Sequence, residues 1–340
     1  MNAKIVFPAE WAHQSGVMLT WPHEDTDWNY MLEEVTDCYV RLAHEIAKRE
    51  KLLIVCRDES VVREKLSDVS ENILFRKMET NDTWARDHGP ITVSVDGEPC
   101  LYDFQFNGWG LKFAANLDNQ ITKKLYDSNL FPPTVGYFPL LNYVLEGGSV
   151  ESDGKGTLLT TAECLLSVNR NNLTEEQVEE FLKDVFGLER VLWLHHGYLA
   201  GDDTDSHVDT LVRLCDANTI AYVTCEDKGD EHYDELKEME RELKTFKTVE
   251  GNPYRLIPLP MPTPQYEETL RLPATYANFL IMNEAVLVPT YNCPEDEIAL
   301  KQLGKAFPTR EIVGVDCRAL IRQHGSLHCV TMQFPAGVIQ

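Results

Sequence analysis

NFLIMNEAVLVPTYNCPEDEIALKQLGKAFPTREIVGV, residues 278–315, contains the pattern that decides the fold. Two short apolar segments at residues 278–282 and 285–289 predict a pair of strands, and residues 294–306 predict a helix. A further apolar segment at residues 311–315 predicts a closing strand. The order in this stretch is therefore strand, strand, helix, strand.

The same order recurs along the chain. Two other copies are complete. In the first, the strands are residues 148–150, 157–160 and 191–194 and the helix is residues 174–186. In the second, the strands are residues 210–214, 219–224 and 254–258 and the helix is residues 230–246. Partial copies are residues 17–21, 30–48 and 52–56, and residues 91–95 with 101–106. A spacing of roughly 60–70 residues predicts α/β modules arranged around an axis. A doubly wound Rossmann sheet is the alternative, but its strands and helices alternate singly.

No linker or low-complexity tract divides the chain, so the sequence predicts a single domain over residues 1–340. The chain contains 31 Lys and Arg residues against 55 Asp and Glu residues, a net charge of −24. Because phosphate binding needs a basic surface, nucleic acid and anionic membrane surfaces are disfavoured as partners. A negative field attracts cations, which permits a small cationic ligand. The alternative is that the acidity serves solubility alone.

The first residues, MNAKIVFPAEWAHQSG, do not resemble a signal peptide, and the apolar runs are far shorter than the ~20 residues that span a bilayer. The nine cysteines are scattered, and the closest two are Cys215 and Cys225. Zinc ribbons and redox pairs need thiols only a few residues apart, so both are disfavoured. The sequence therefore predicts a cytoplasmic protein with reduced thiols.

Four short segments are rich in side chains that can take part in catalysis. They are residues 81–90 (NDTWARDHGP), 145–149 (LEGGS), 201–209 (GDDTDSHVD) and 324–329 (HGSLHC). Each segment lies near the beginning or end of a repeated unit. Equivalent positions of successive units meet at the centre of a cyclic arrangement, so we expect the four segments to form one pocket.

Two of these segments offer a nucleophile and an acid–base group. Cys329 lies in a glycine-containing loop, and a catalytic thiolate needs a neighbouring acid–base group or positive charge. A buried structural thiol is the alternative. His207 and Asp209 are spaced i, i+2 and would face the same side of a strand, where a carboxylate can orient the imidazole. The alternatives there are a solvated acidic turn and a divalent-metal site, which lacks the usual calcium-loop spacing and offers zinc one histidine.

The other two segments contribute acids and an aromatic side chain. Asp87 could hold a ligand, or it could form a local ion pair or cap a turn. Glu146 precedes two glycines, and its simplest interpretation is a strand end that permits close backbone approach. Trp84 could be a core aromatic.

Together these residue types suit the hydrolysis of a guanidinium group. Two carboxylates can hold the planar cation through bidentate hydrogen bonds. A thiolate can attack its carbon, and a histidine can protonate the departing ammonia and then activate water. The set is sufficient without a metal.

On these motifs the sequence resembles the agmatine deiminases, a bacterial peptidylarginine-deiminase-like family of the guanidine-modifying pentein superfamily. The motifs are WxRDxGP at residues 84–90, EGGS at 146–149, DxTDxHVD at 202–209 and GxxHC at 325–329. The likeness extends from PAEW at residues 8–11 to the last of these motifs. It implies a five-bladed, pseudo-symmetric α/β propeller of ββαβ-type units around a central active site, and it implies no cofactor.

The resemblance also implies a role for each matched residue. Cys329 matches the nucleophile that forms a covalent thiouronium intermediate, and His207 matches the acid–base histidine. Asp87 and Asp209 match the carboxylates that hold the guanidinium, and Glu146 matches the acid that supports the histidine.

Two further positions match the part of the family site that binds the rest of the substrate. Trp84 resembles the residue that packs along the alkyl chain. Asp203 stands where many agmatine deiminases have a glutamate near the distal amine, and His324 stands where glycine is more usual. The implied reaction converts agmatine into N-carbamoylputrescine and ammonia.

Three other functions are compatible with the residues. The first is a deiminase of the same fold that acts on free arginine, methylated arginine or a peptide's C-terminal arginine. The second is a metal-dependent hydrolase that uses the acidic segment around His207, and the third is a non-catalytic polyamine binder. The sequence permits either a monomer or a homodimer.

Overall fold

The computed structural model describes residues 3–340, apart from the side chain of Ser70, and within them it contains nineteen strands and ten α-helices or helical turns. The strands are β1 (Ile5–Val6), β2 (Gln14–Thr20), β3 (Lys51–Cys56), β4 (Ile73–Lys77), β5 (Ile91–Val95), β6 (Glu98–Gln105), β7 (Gly136–Val144), β8 (Val150–Ser152), β9 (Thr157–Thr161), β10 (Arg190–Leu194), β11 (Val212–Asp216), β12 (Thr219–Thr224), β13 (Arg255–Pro260), β14 (Tyr266–Glu267), β15 (Leu270–Arg271), β16 (Leu280–Ile281), β17 (Ala285–Thr290), β18 (Glu311–Asp316) and β19 (Thr331–Pro335).

The helices are α1 (Leu32–Ala47), α2 (Glu59–Lys65), α3 (Ala85–His88), α4 (Gly108–Leu111), α5 (Ile121–Asp127), α6 (Ala162–Leu165), α7 (Glu175–Phe186), α8 (Val208–Leu211), α9 (Tyr233–Thr245) and α10 (Glu295–Ala306). Short 3-10 turns cover Asn29–Met31, Ser70–Asn72, Asp118–Gln120, Gly147–Ser149 and Leu320–Gln323. Within the described residues, no helix is both long and apolar enough to cross a membrane.

Five small sheets share one strand arrangement, in which the first strand pairs antiparallel with the second and the second pairs parallel with the third. These triplets are β19–β2–β3, β5–β6–β7, β8–β9–β10, β11–β12–β13 and β16–β17–β18. A helix joins the second strand to the third in every triplet, because a parallel pair needs a long crossover connection. The fold is therefore mixed α/β, built from a repeated strand, strand, helix, strand unit, as the sequence predicts.

The two ends of the chain meet in one sheet. The unit near the amino terminus takes its first strand from the opposite end of the chain, where β19 pairs antiparallel with β2. The sequence shows this unit only in part because its missing strand lies more than 300 residues away. The copy at residues 91–106 is in turn more complete than predicted, because α5 and β7 supply its helix and closing strand.

The crossover helices present apolar residues at three- and four-residue spacing to the sheets. In α7, Val178, Leu182 and Phe186 are fully buried. The same helix begins at the capping box of Thr174 and Gln177, which satisfies backbone N–H groups that a first helical turn leaves unpaired. The central strands β9 and β12 are buried over their whole length, which is typical of strands covered on both faces.

Candidate active site

The site is built from the segment that precedes the first strand of each unit. These five segments supply Asp87 before β5, Glu146 before β8, Asp209 before β11, Asn278 before β16 and Cys329 before β19. All five residues are buried. The repeat therefore brings the four sequence motifs together as expected, and it adds a fifth contributor, Asn278.

Asn278 is a residue that the sequence analysis missed. Its side-chain oxygen accepts from the backbone N–H of His328 at 2.8 Å and lies 3.3 Å from both the backbone nitrogen and the Sγ atom of Cys329. Its side-chain nitrogen lies 3.4 Å from the carbonyl oxygen of Asp209. The sequence pattern predicted a strand at residues 278–282, which includes Asn278, whereas β16 begins at Leu280. The signal that could have found Asn278 is a polar side chain at the start of a repeated unit.

Three titratable side chains converge on Gly148. The position that a Cβ atom would occupy there lies 2.6 Å from His207 Nδ1, 2.9 Å from Asp87 Oδ1 and 3.1 Å from Asp209 Oδ2. Glycine is therefore required at this point by close approach, because any larger residue would push these groups apart.

The local structure around His207 differs from the prediction. His207 and Asp209 do not share the face of a strand, because residues 208–211 form the helical turn α8 before β11 begins. The expectation of a strand at residues 210–214 was wrong by two residues at its start. The two side chains still meet near Gly148, since the turn redirects the chain between them.

His207 is fully buried, and neither of its ring nitrogens has a hydrogen-bond partner among the described residues. Its Nδ1 atom lies 3.6 Å from Asp87 Oδ1. Burial opposes the charged ring, but Asp87, Cys164 and Glu146 together raise the pKa of His207 well above its usual value. A protonated histidine with unused N–H groups is suited to donate a proton to a ligand.

The two carboxylates beside the cysteine have different partners. Asp87 accepts from the Trp109 indole N–H at 2.9 Å and from the Gly148 backbone N–H at 3.0 Å, and burial raises its pKa. Asp209 Oδ2 lies 2.7 Å from His328 Nδ1, while its Oδ1 atom has no partner in the described chain. Burial opposes ionisation of Asp209, but His328 lowers its pKa.

Cys329 is nearly buried at the end of the last segment. Burial and the carboxylates of Asp209 and Asp87 raise the pKa of the Cys329 thiol well above its usual value. These surroundings favour the neutral thiol, and a positive charge beside the sulfur would favour the thiolate.

Glu146 lies near His207 but hydrogen-bonds to another residue. Both of its carboxylate oxygens lie 3.0 Å from Arg170 Nε, and the Arg170 guanidinium also binds Asp205 Oδ2 at 2.6 Å and the Thr204 carbonyl at 2.8 Å. Arg170 thus joins the Glu146 segment to the loop that precedes His207. A lone arginine outside the motifs gave no sequence signal for this role.

A pocket of about 390 Å³ opens onto Cys329. Asp87 and Cys329 line its inner end, and Trp84 and Trp109 line its wall in an edge-to-face pair. The chain passes very close to Trp84 at Gly325, where a Cβ atom would lie only 2.1 Å from the indole ring. His207, Asp209 and Glu146 are fully buried and are not among the residues that line the pocket.

The outer part of the pocket is acidic. Asp27, Asp82 and Asp203 line it, and among its described lining residues His324 is the sole basic side chain. Burial and the nearby Asp27 raise the pKa of Asp82 to about 7, and burial and Asp202 raise that of Asp203 to about 6. Asp82 accepts from the indole N–H groups of Trp28 and Trp84 at 3.0 Å, and Lys112 and His324 lower the pKa of Asp203 only in part. The acidic groups still outnumber the basic ones here, so this part of the pocket attracts a cationic ligand.

Two clusters have the side chains to ligate a metal ion. Glu146, Cys164 and His207 form one, and Glu10, Glu151 and His328 form the other, each with ligand atoms within 4.8 Å of one another. In both clusters the carboxylates already bind a guanidinium, from Arg170 in the first and from Arg213 in the second.

Comparisons with known proteins agree with this geometry. A family model described as Porphyromonas-type peptidyl-arginine deiminase matches residues 6–335. The agmatine deiminase of Pseudomonas syringae pv. tomato is 32% identical over 97% of this chain and 95% of its own.

Two solved structures are also similar. A Porphyromonas gingivalis protein provisionally named an arginine deiminase is 52% identical with a TM-score of 0.96, covering 99% of this chain and 100% of its own. A cysteine-to-serine form of Campylobacter jejuni agmatine deiminase with substrate bound is 42% identical with a TM-score of 0.93, covering 98% and 97%.

Replacement of Gly148 by alanine should disable the site while leaving the fold intact. The new Cβ would displace His207, Asp87 and Asp209, and a displacement of about 1 Å in a catalytic group can cost about 100-fold in rate. We expect ammonia release from a guanidine substrate to fall by about that factor. Gly304→Ala is the matched control, because its Cβ would meet nothing closer than 3.9 Å. Equal activity of the two variants would contradict the prediction.

Replacement of Arg170 by methionine should destabilise the protein, because it leaves the buried carboxylate of Glu146 without its partner. Breaking a buried ion pair costs about 3–5 kcal/mol, measurable as a lower urea midpoint. The exposed pair of Arg241 and Glu238 provides the control, and Arg241→Met should change stability by less than about 1 kcal/mol. A similar loss in both variants would refute the assigned role.

Proposed function

The chain belongs to the Porphyromonas-type peptidyl-arginine deiminase family, and we propose that it hydrolyses agmatine to N-carbamoylputrescine and ammonia. The observation that carries the proposal is the charge pattern of the pocket, which is lined by the Cys329 thiol and the Asp87 carboxylate and also by the carboxylates of Asp27, Asp82 and Asp203, with no Lys or Arg among its described lining residues. Agmatine has a guanidinium at one end and a primary amine at the other, so both of its charges meet carboxylates.

In the first half-reaction the guanidinium lies between Asp87 and Asp209. Its positive charge favours loss of the Cys329 proton to solvent. The thiolate attacks the guanidinium carbon, and a C–S bond forms. His207 then gives a proton to one terminal nitrogen, the C–N bond breaks, and ammonia leaves.

In the second half-reaction water replaces the sulfur. His207 is neutral after its first transfer and can take a proton from water, whose oxygen attacks the carbon of the thiouronium intermediate. The C–S bond breaks, Cys329 departs as the thiolate, and the hydroxyl proton of the adduct passes to that sulfur, so the product is a neutral ureido compound and Cys329 is again a thiol. Glu146 supports His207 through its charge, held in place by Arg170. No step in this scheme draws on a cofactor.

The outer carboxylates favour agmatine over arginine. An arginine substrate would bring its α-carboxylate toward Asp82 and Asp203, where like charges repel. A deiminase acting on free or C-terminal arginine is the second candidate, because the similar Porphyromonas gingivalis protein is provisionally named for arginine. In either case Trp84 would pack along the alkyl chain.

The organisation of the chain supports two further parts of the proposal. All five repeated units contribute to one site, which favours a single catalytic domain over residues 1–340 and an arrangement of five propeller blades around it. The nine cysteines are free thiols, which is consistent with a cytoplasmic location.

The central test is turnover by the purified protein with and without its nucleophile. We expect ammonia and a ureido product from agmatine at a higher kcat/KM than from arginine. Cys329→Ala should lower kcat by about 10⁴-fold or more, since loss of a nucleophile removes most of the rate. Cys100→Ala, a partly exposed thiol outside the pocket, should leave it unchanged. Substantial turnover by Cys329→Ala would refute the mechanism, and a preference for arginine would refute the substrate assignment.

The affinity for the substrate amine should depend on pH. Asp82 and Asp203 titrate near 7 and 6, so they are charged above those pKa values and become neutral as the pH falls through them. We expect KM for agmatine to rise on acidification from about pH 8 to about pH 6, because a charge-assisted hydrogen bond contributes about 1.5–3 kcal/mol. Butylguanidine lacks the amine and provides the control. A constant ratio of the two KM values across this range would contradict the assignment.

A further inference from the structure

We propose that His328 is a doubly protonated positioning residue, which keeps Asp209 ionised and leaves one of its oxygens free for the guanidinium. The inference deepens the proposed function, since Asp209 is one of the two carboxylates assigned to the substrate. His328 belongs to the motif at residues 325–329, but the mechanism above gives it no role.

The geometry around the His328 ring requires two N–H groups. Nδ1 lies 2.7 Å from Asp209 Oδ2, and Nε2 lies 2.7 Å from Glu10 Oε2. A neutral imidazole has one N–H, so two ionised carboxylate partners are satisfied only by the imidazolium. The ring is almost completely buried, with 1% of the residue exposed.

Arg213 keeps the carboxylate of Glu10 ionised. Arg213 Nη2 donates to the same Glu10 oxygen at 2.8 Å, which also accounts for its 3.1 Å approach to His328 Nε2. Burial opposes ionisation of Glu10, but Arg213 and His328 hold its pKa well below the usual range. Glu10 therefore accepts two charge-assisted hydrogen bonds and cannot take the proton from His328.

Charged groups from several elements face this histidine. Glu10, Glu151 and Asp209 interact with it directly, and Arg213 and Arg86 lie beside Glu10. Asp209 also interacts with His207 and with the thiol of Cys329, which Asp87 faces as well. The basic groups Arg213, Arg86 and His328 balance the acidic groups Glu10, Glu151 and Asp209. A neutral residue at position 328 would leave an excess negative charge, and the first effect would be to make Asp209 easier to protonate.

The backbone fixes the direction in which the histidine acts. The backbone N–H of His328 donates to Asn278 Oδ1 at 2.8 Å, which holds this part of the backbone in place. The position of the His328 ring is therefore set independently of Asp209. With Oδ2 held by His328, the unpartnered Oδ1 is the oxygen left to accept an N–H group of the substrate. His328 thereby acts on the substrate only through Asp209.

The charge of His328 can be measured without turnover. In ¹⁵N-histidine-labelled protein without substrate, both His328 nitrogens should resonate as protonated nitrogens at neutral pH, because each faces a carboxylate oxygen at 2.7 Å. A neutral ring would overturn the charge assignment. This result is independent of the proposed function, which fails instead if the wild-type protein releases no ammonia from agmatine.

The positioning role is tested by kinetics. In His328→Gln we expect the acid limb of the kcat/KM profile for butylguanidine, whose binding does not depend on Asp82 and Asp203, to move to higher pH, with a loss of about 10-fold or more at the acid end of the profile. His196→Gln removes another carboxylate-bonded histidine, outside the pocket, and should leave the profile unchanged. An unmoved acid limb in His328→Gln would overturn the role.

A second variant keeps the test decisive if His328→Gln does not fold. Glu10→Gln leaves the imidazole and Asp209 in place but removes one of the two charges that hold the second proton. We expect its histidine to lose the doubly protonated signal at neutral pH, and its acid limb to shift in the same direction by a smaller amount. An unchanged nitrogen spectrum in Glu10→Gln would contradict the proposal.

Discussion

The buried guanidinium of Arg213 joins four segments of the chain next to the active site. It lies at the start of β11, yet it binds Glu151 on β8, Glu10 near the amino terminus and the carbonyl oxygens of residues 277 and 279 before β16. It also lies against the ring of Phe279. An unpaired buried charge is costly, so each of these segments must reach its place for the fold to be stable. This requirement fixes these four segments relative to one another.

In the active site, Asp87 and Asp209 determine both the protonation of Cys329 and the charge of the ligand. They raise the pKa of the Cys329 thiol, which disfavours the thiolate. They also attract a planar cation to the one place where its charge lies beside the sulfur. Substrate binding and activation of the nucleophile are thus coupled by a single electrostatic arrangement.

The repeated unit could be predicted from local sequence signals, but the pairing of strands far apart in the chain could not. Apolar runs and helix caps predicted α7 and β12 within one residue of their ends, because these signals lie within each segment. The strand β19 was invisible as part of the first unit, since its partner β2 lies at the other end of the chain. The α8 turn was missed because its backbone is set by the buried side chains on either side of it.

By itself the sequence determined the α/β repeat, the family resemblance and the candidates Cys329, His207, Asp87, Asp209, Glu146, Trp84 and Asp203. These follow from residue type and spacing, which are local properties. Only the tertiary structure decided which atoms meet. In the folded chain, Glu146 binds Arg170, and the side-chain oxygen of Asn278 lies next to the Cys329 thiol. The ring of His328 lies between the carboxylates of Asp209 and Glu10. The reason is physical, because a buried polar atom must find a partner wherever the fold supplies one, regardless of distance along the chain.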